Sequence, residues 1–380
     1  MDLSLFPTFD EFRLENAGAD AGAVAASADA QALADAQAPA DAGLVLGVCV
    51  CLDRSFPLIA CARGIFRAQF SPRLRNSASS MNVCIGDYVL IRFVDADIPC
   101  IISSICARSS EICRYQGRNF RTRQVLAANV DAVFVVLALS EEAFCIETLA
   151  RALCMCAHSA SEVRLVLTKA DRVAPATLEH TCQVIGDLFG KDLPISALSL
   201  CMDADKNSEF GRAKDYEARA AALGIDWGLE ALRAHLTRPS HAHTSTMLLG
   251  ESGVGKSSLI NALCGVSALD VGRTRARDDK GRHTTTQRRM VRVAPSSFVI
   301  DCPGIRSFSL VGHEQGLYEL FPEFVALFGS CGFSNCTHIH EKACALEALG
   351  QQTPRLHRRY LLFISLLQAL TREQALAARA

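Results

Sequence analysis

Aromatic side chains are scarce in this chain: one Trp and five Tyr in 380 residues, with aromatics at 7% overall. A broad stacking surface for single-stranded nucleic acid is therefore not signalled by composition. Long apolar runs are missing too. The longest one near the C-terminus, Tyr360 to Leu370, is too short to cross a bilayer and contains Ser365 and Gln368. The first residues carry Asp2, Asp10 and Glu11 where a secretion signal would place basic residues, so a cytoplasmic chain with no membrane role is expected. Charge of one sign is also absent in bulk, since 39 basic and 40 acidic side chains leave a net −1.

What is present is unevenly spread. Residues 1–42 hold eight acids and one Arg, which leaves about +6 on the remainder. Eight Lys or Arg stand between Arg273 and Arg292 against two Asp, and five Arg follow Gly350 against one Glu. Such clusters suit a phosphate backbone, although solvated faces alone also produce them. The seventeen cysteines are scattered, often inside apolar runs such as Leu153 to Ala157. With no secretion signal they read as buried thiols rather than a disulfide framework.

The length suits two or three domains. Residues 14–42 are rich in Ala, Asp and Gly and too poor in large apolar side chains to offset chain entropy, so disorder is expected across the 1–42 extension. Five short β-prone runs follow, Val45–Leu52, Leu58–Cys61, Ile65–Phe70, Tyr88–Phe93 and Ile98–Ile105, and predict a small barrel, the oligonucleotide-binding fold being one candidate. Beyond Asn129, apolar strands at Val133–Leu139, Arg164–Leu167, Thr246–Leu249 and Phe298–Ile300 alternate with helical stretches, the pattern of an open α/β sheet. The polar stretch 201–223 interrupts that pattern as a surface insertion. From Leu317 onward the elements read as helices around a cysteine-histidine cluster.

Several motifs carry chemistry. Gly250-Glu251-Ser252-Gly253-Val254-Gly255-Lys256-Ser257, between a strand and an apolar-periodic helix, has the form of a phosphate loop. Its glycines allow backbone amides to face phosphate oxygens, Lys256 reaches the β and γ phosphates, and Ser257 can coordinate Mg²⁺, with Ser258 beside it. Asp301-Cys302-Pro303-Gly304 supplies an acid for a Mg²⁺-bound water and a glycine amide for the γ-phosphate. In Gly281-Arg282-His283-Thr284-Thr285-Thr286 a threonine, Thr285 by preference, can sense the γ-phosphate through Mg²⁺. Thr168-Lys169-Ala170-Asp171 ends a strand and has the form of a guanine loop, because a carboxylate accepts two hydrogen bonds from guanine that adenine does not offer. Ser196 and Ala197 supply a small-residue loop for the guanine carbonyl. Cys331, Cys336 and Cys344 with His338 or His340 offer a tetrahedral zinc set that leaves no open position.

The order of these motifs is unusual. The guanine loop precedes the phosphate loop by some eighty residues, whereas most guanine-nucleotide switch proteins reverse that order, so a circularly permuted GTPase is expected. The chain resembles the circularly permuted GTPases that assist late assembly of the bacterial small ribosomal subunit. The resemblance runs from about Gly43 through the C-terminal helices, on the motifs above together with Gln124-Val125-Leu126-Ala127-Ala128-Asn129-Val130-Asp131. It implies an α/β protein with an oligonucleotide-binding barrel over 43–110. A permuted GTPase domain would follow over 111–315 with the 201–223 insertion, and a helical zinc-binding domain over 316–380. It also implies one structural Zn²⁺ held by Cys331, Cys336, His338 and Cys344, Mg²⁺ with bound GTP, and a monomer that binds the small subunit and its ribosomal RNA. Three departures stand out: Thr168 where Asn is commonest, the long acidic extension and insertion, and Lys342-Ala343 where the family has Pro-Gly.

The expected reaction is GTP and water to GDP and phosphate, timing release from an assembly particle. Ile305 stands where many small GTPases have a water-orienting Gln, so slow intrinsic turnover is expected, with His283 a candidate for placing water in the bound particle. Two competing readings are a kinase or ATPase, and a zinc-stabilised RNA-binding scaffold that uses GTP as an occupancy switch. Base competition separates the first, and hydrolysis with and without small subunits separates the second.

Overall fold

The computed structural model describes residues 43–378 apart from 53–55, 77–82, 95–99, 117–121, 141–143, 158–161, 205–210, 238–243, 266–287, 296, 303–304, 306–307 and 340. The acidic extension, His283, Thr285, Gly304, His340 and most of the basic loop lie outside the described residues.

The β-branched and alternating runs at the start fold as β1 (Leu44–Leu52), β2 (Pro57–Cys61), β3 (Gly64–Phe70), β4 (Tyr88–Phe93) and β5 (Cys100–Ile105), with a short helix α1 (Pro72–Asn76) after β3. They close in the order β1-β2-β3-β5-β4 and back to β1; β3 and β5 are parallel and the other pairs antiparallel. Period-two alternation sends Cys49, Ile59, Ala68, Val89, Ile91 and Ile102 inward. The register of β1 on β2 shifts between Cys49 and Cys51. Beyond that irregularity the end of β1 stays paired with β2, while its other edge, paired with β4 up to Val48, meets a strand of the second sheet, Cys51 with Arg289 and Leu52 with Arg288.

A hairpin of β6 (Glu111–Gln116) and β7 (Thr122–Ala128) joins the two bodies. The sequence predicts no strand here, because charged and polar residues interrupt the apolar alternation. Its stability comes from tertiary bonds. Ala127 bridges to Ile85 of the barrel, and Asn129 takes a left-handed φ of 51° while its amide donates to the Gly86 carbonyl at 2.8 Å. Beside it the fully buried Asp87 carboxylate meets Arg108 at 2.7 and 2.8 Å and accepts the Cys84 amide at 2.7 Å. Removing either partner of such a pair costs about 3–5 kcal/mol, since the other charge stays buried.

The second sheet contains β8 (Ala132–Ala138), β9 (Glu162–Thr168), β10 (Ile195–Ala197), β11 (Asp226–Trp227), β12 (Thr244–Leu249), β13 (Arg288–Ala294) and β14 (Ser297–Asp301). Its order is β11-β10-β9-β8-β12-β14-β13, parallel except for β13. Strand β12, late in the chain, lies between β8, which comes much earlier, and β14, which follows it. That placement is compatible with the permuted order expected from the motifs. The helices of this region are α2 (Ile146–Cys156), α3 (Pro175–Phe189), α4 (Leu200–Ala204), α5 (Gly211–Ala222), α6 (Gly228–Leu236) and α7 (Lys256–Cys264). The stretch read as a surface insertion contains α5, whose Tyr216 and Ala220 are buried; Tyr216 stacks on Trp227 at 5.2 Å and bonds the Val173 carbonyl.

The C-terminal part is helical: α8 (Glu314–Leu320), α9 (Pro322–Val325), α10 (Ala345–Gly350) and the 25-residue α11 (Pro354–Ala378). Phe321, Phe324 and Phe363 are fully buried together with Ala150 of α2, so this part is packed on the sheet's own helices. Each such Phe contributes about 1.5–3 kcal/mol of burial. The Tyr360–Leu370 run lies inside α11, and among the described residues no helix is long and apolar enough to cross a membrane.

Candidate functional site

Strand β12 is an interior strand, flanked by β8 and β14, and buries Met247, Leu248 and Leu249, so its C-terminal end is firmly held. The loop Gly250–Gly255 leaves from that end, the place where ligands bind in open α/β sheets. A Cβ on Gly250 would lie 2.3 Å from the Val136 carbonyl, so only glycine lets the loop pass so close to β8. Gly253 and Gly255 hold φ of 84° and 104°, where other residues are strained. Helix α7 then begins at Lys256, and its free N-terminal amides face an anion-binding position. Ser252 is exposed on the loop, Glu251 is half-buried, and Ser257 and Ser258 are half-buried in the first turn. The Lys256 ammonium is buried and donates to the Gly250 and Glu251 carbonyls, both at 2.8 Å. Burial pulls its pKa down, and the nearby Asp301 charge acts in the opposite direction.

Asp301 ends β14 and is 2% exposed. Its Oδ2 is buried with no hydrogen-bond partner among the described residues. Burial pushes its carboxyl up to about 6, against the pull of Lys256 and Arg289. An orphaned carboxylate oxygen beside a buried ammonium is costly unless a further polar group meets it. A magnesium-bound water would be such a group, and Ser257, in the first turn of α7, could supply a hydroxyl to the ion. Directly after Gly304, the Ile305 amide donates to the Gly250 carbonyl at 3.2 Å, which ties the chain downstream of Asp301 to the phosphate loop.

The early Thr168–Asp171 segment reaches the same loop. Thr168 ends β9 and is 4% exposed; its hydroxyl donates to the Val254 carbonyl at 2.6 Å and lies 3.3 Å from the Leu137 carbonyl. Lys169, at a left-handed φ of 57°, donates to the Gly253 carbonyl at 2.6 Å. Two motifs more than eighty residues apart are thereby joined by direct bonds. Ala170 is buried, and its amide bonds the Leu198 carbonyl at 3.2 Å. Asp171 sits in a 3₁₀ turn, Ala170–Arg172, and its Oδ1 accepts the Ser199 hydroxyl at 2.5 Å.

Ser199 was passed over by the sequence reading, which named Ser196 and Ala197. Both of those are fully buried in β10, and the Ser196 hydroxyl accepts Arg164 at 3.1 Å. Arg164 in turn contacts Asp226 at 2.6 Å and His235 at 3.1 Å, so Ser196 belongs to a polar cluster between β9, β10, β11 and α6. A serine directly before a helix was the signal available for Ser199: it precedes α4, and the Met202 amide lies 3.4 Å from its oxygen.

The third group lies in the C-terminal part. The donor atoms of Cys331, Cys336, His338 and Cys344 all fall within 4.8 Å of one another. His338 Nδ1 is 3.5 Å from Cys331 Sγ and 3.6 Å from Cys344 Sγ, and the Ala345 amide donates to Cys331 Sγ at 3.4 Å. His338 itself adopts a φ of 64°; its ring stacks on Phe328 at 5.6 Å, and its carbonyl accepts the Tyr360 hydroxyl at 2.9 Å. Glu341 accepts the Thr337 and Ile339 amides at 2.9 and 3.1 Å, closing the turn between the second cysteine and the last. Ala343 has a φ of 66°, a conformation that glycine adopts without strain. Three thiols and an imidazole in one cluster suit a closed zinc site.

The RsgA GTPase family model matches residues 105–198 and 195–311 of the chain. The small ribosomal subunit biogenesis GTPase RsgA of Streptomyces avermitilis is 32% identical over 307 residues, spanning 80% of this chain and 74% of that protein. The protein of the same name from Opitutus terrae is 30% identical over 332 residues, 84% of this chain and 80% of that one. Among solved structures, YjeQ from Thermotoga maritima superposes with a TM-score of 0.55 at 20% identity, covering 86% of this chain and 99% of that one. YloQ, described as a circularly permuted GTPase, superposes with a TM-score of 0.51 at 19% identity, covering 86% and 95%. These two structures speak for the fold, and the sequence matches speak for descent. From both together, this chain belongs to the RsgA GTPase family.

Proposed function

We propose that this protein hydrolyses GTP to GDP and phosphate in the biogenesis of the small ribosomal subunit. The observation that carries the reading is the pair of bonds from Thr168 and Lys169 to the carbonyls of Val254 and Gly253. They join a guanine-type loop to a phosphate loop of reversed order, in a chain whose relatives bear the name of that GTPase. Asp171, steadied by Ser199, reads the guanine edge, and Lys169 flanks the base. Lys256 exchanges its two carbonyl partners for phosphate oxygens, and the α7 amides with Gly253 and Gly255 surround the same anion. Ser257 and Asp301 would hold Mg²⁺ directly and through water, and the ion would offset charge on the β and γ phosphates. Thr285 and Gly304 are assigned to the γ-phosphate on their motifs.

The closed five-stranded barrel is read as an oligonucleotide-binding barrel for ribosomal RNA, and residues 43–110, 111–315 and 316–380 as its domains. Cys331, Cys336, His338 and Cys344 would hold one structural Zn²⁺. Ile305, 2% exposed, offers no group to orient water, which supports slow turnover until the particle fixes the loop carrying His283. Nucleotide state would then time release.

Single-turnover hydrolysis of GTP and of ATP, with and without purified small subunits, tests the reading. GTP-selective turnover that rises with subunits is expected; ATP preference, or no stimulation, would overturn it. His283→Ala should lower the stimulated rate more than the basal rate, and equal fractional losses would remove that role.

A further inference from the structure

The segment behind the Asp301 turn is pinned at two ends by distant parts of the chain. At its front, the Ile305 amide bonds the Gly250 carbonyl of the phosphate loop. At its back stands Glu373, in the last turns of α11. One of its carboxylate oxygens accepts Arg151 Nη1 at 2.7 Å; the other accepts the Ser309 hydroxyl at 2.9 Å and the Leu310 amide at 2.8 Å. The same Arg151 nitrogen donates to the Phe308 carbonyl at 3.0 Å, and Arg151 Nε donates to Glu147 at 3.0 Å. Ser365 of α11 reaches the second Glu147 oxygen at 3.3 Å. A carboxylate with three donors, 16% exposed, is a strong and oriented contact.

Fastening α11 to the molecule does not require this arrangement, because Phe363, Leu366 and Leu370 already bury that helix. What the carboxylate adds is a hold on backbone: the Leu310 amide directly, and the Phe308 carbonyl through Arg151. Leu310 stands nine positions after Asp301, and between them Ile305 bonds the phosphate loop.

We infer that Glu373 is a positioning residue for the GTP site, holding the downstream end of the Asp301 turn so that the seating of the C-terminal helix and the nucleotide state bias each other. The inference rests on the GTPase reading above. Its physical content is a coupling between two sites through one shared segment, and such coupling is reciprocal. A change that moves the α11 end shifts Phe308–Leu310 and, through Ile305, the carbonyl face of the phosphate loop. Nucleotide that rearranges the turn strains the same three bonds.

The full-length chain should be compared with Glu373→Ala, Glu373→Gln and the milder Ser309→Ala. Three quantities are measured: kcat and KM per nucleotide-titrated site, zinc content, and hydrogen exchange of the peptide containing the Leu310 amide. The exchange is read with GDP and with a non-hydrolysable GTP analogue. Glu373→Ala is expected to lower kcat at least about fivefold with KM nearly unchanged, Glu373→Gln less so, and Ser309→Ala least. In the wild type, Leu310 exchange should differ between the two nucleotides, and in Glu373→Ala that difference should vanish. Wild-type kcat in the variants with an unchanged exchange response would overturn the inference. A fall in activity that only follows the loss of titratable sites would make Glu373 a structural anchor and overturn it equally. If the wild type hydrolyses no GTP, the GTPase reading fails, and the exchange difference then decides the clamp by itself.

Discussion

The phosphate loop and the Cys331–Cys344 knuckle both gather residues from separated positions, by opposite means. Around the loop, Asp301 Oδ2 apart, the chain meets its own polar groups: Lys256 bonds two carbonyls, Thr168 and Lys169 bond two more, and β12 beneath them is buried from Ser245 to Leu249. In the knuckle, Gly332 to Asn335 are exposed, and the four donors converge on one another at the margin of the C-terminal core, with Cys344 buried in it and Cys331 and Cys336 packed against it. The first is a site prebuilt by packing, ready for a ligand that replaces internal bonds. The second is a short segment that a metal held by its four donors would tie together.

The comparison can be broken most sharply at Lys256. Lys256→Ala should reduce single-turnover hydrolysis by about 10²–10³-fold while the melting temperature stays near wild type. Its fold contribution is small because Leu259, Ile260 and Leu263 keep α7 buried. A stable variant with wild-type turnover would remove Lys256 from the chemistry.

The knuckle should respond in the opposite way. Cys336→Ala or Cys344→Ala is expected to lower bound zinc from about one per chain to near zero and to open the 331–344 segment to protease. Guanine-nucleotide affinity should survive, because the sheet is built without the metal. Full zinc in both variants would refute the ligand set, and joint loss of zinc and GTP binding would refute the contrast.

Within the prebuilt site, Asp171→Asn should weaken GTP by about 1.5–3 kcal/mol and reduce discrimination against xanthosine triphosphate. Competition titration with GTP, ATP and XTP measures it; unchanged affinity and base preference would sink the assignment. Thr168→Val should have the smallest effect. It removes the hydroxyl that bonds the Val254 carbonyl, a loss of about 0.5–1.5 kcal/mol, seen as a severalfold weaker GTP affinity with ATP discrimination retained. An effect as large as that of Asp171→Asn would mean that Thr168 itself contacts the base.

Much of the molecule was legible in advance where the signal is local. The five barrel strands, the strands β8, β9, β12 and β14, the phosphate loop and the cysteine-histidine spacing are all readable from periodicity and from glycine or ligand spacing. Elements stabilised from outside were not. The β6–β7 hairpin and β13 carry too many charges to read as strands, and they pair because Ile85, Gly86 and β1 offer edges to them. Helix α5 reads as polar insertion until Trp227 gives Tyr216 a partner.

The sequence alone determined the site's vocabulary: which loop turns tightly, which Lys and Asp stand beside it, which thiols and imidazole gather, and in what order the motifs run. These properties depend on a residue and its near neighbours, where backbone geometry and spacing act directly. Tertiary structure decided the partners. It sent Ser196 to Arg164 and Ser199 to Asp171, set Thr168 on the phosphate loop, and brought Glu373 from the end of α11 to Leu310. Such pairings follow from strand order and helix packing across tens of residues, and a hydrogen bond formed at that distance leaves no periodicity in the chain that makes it.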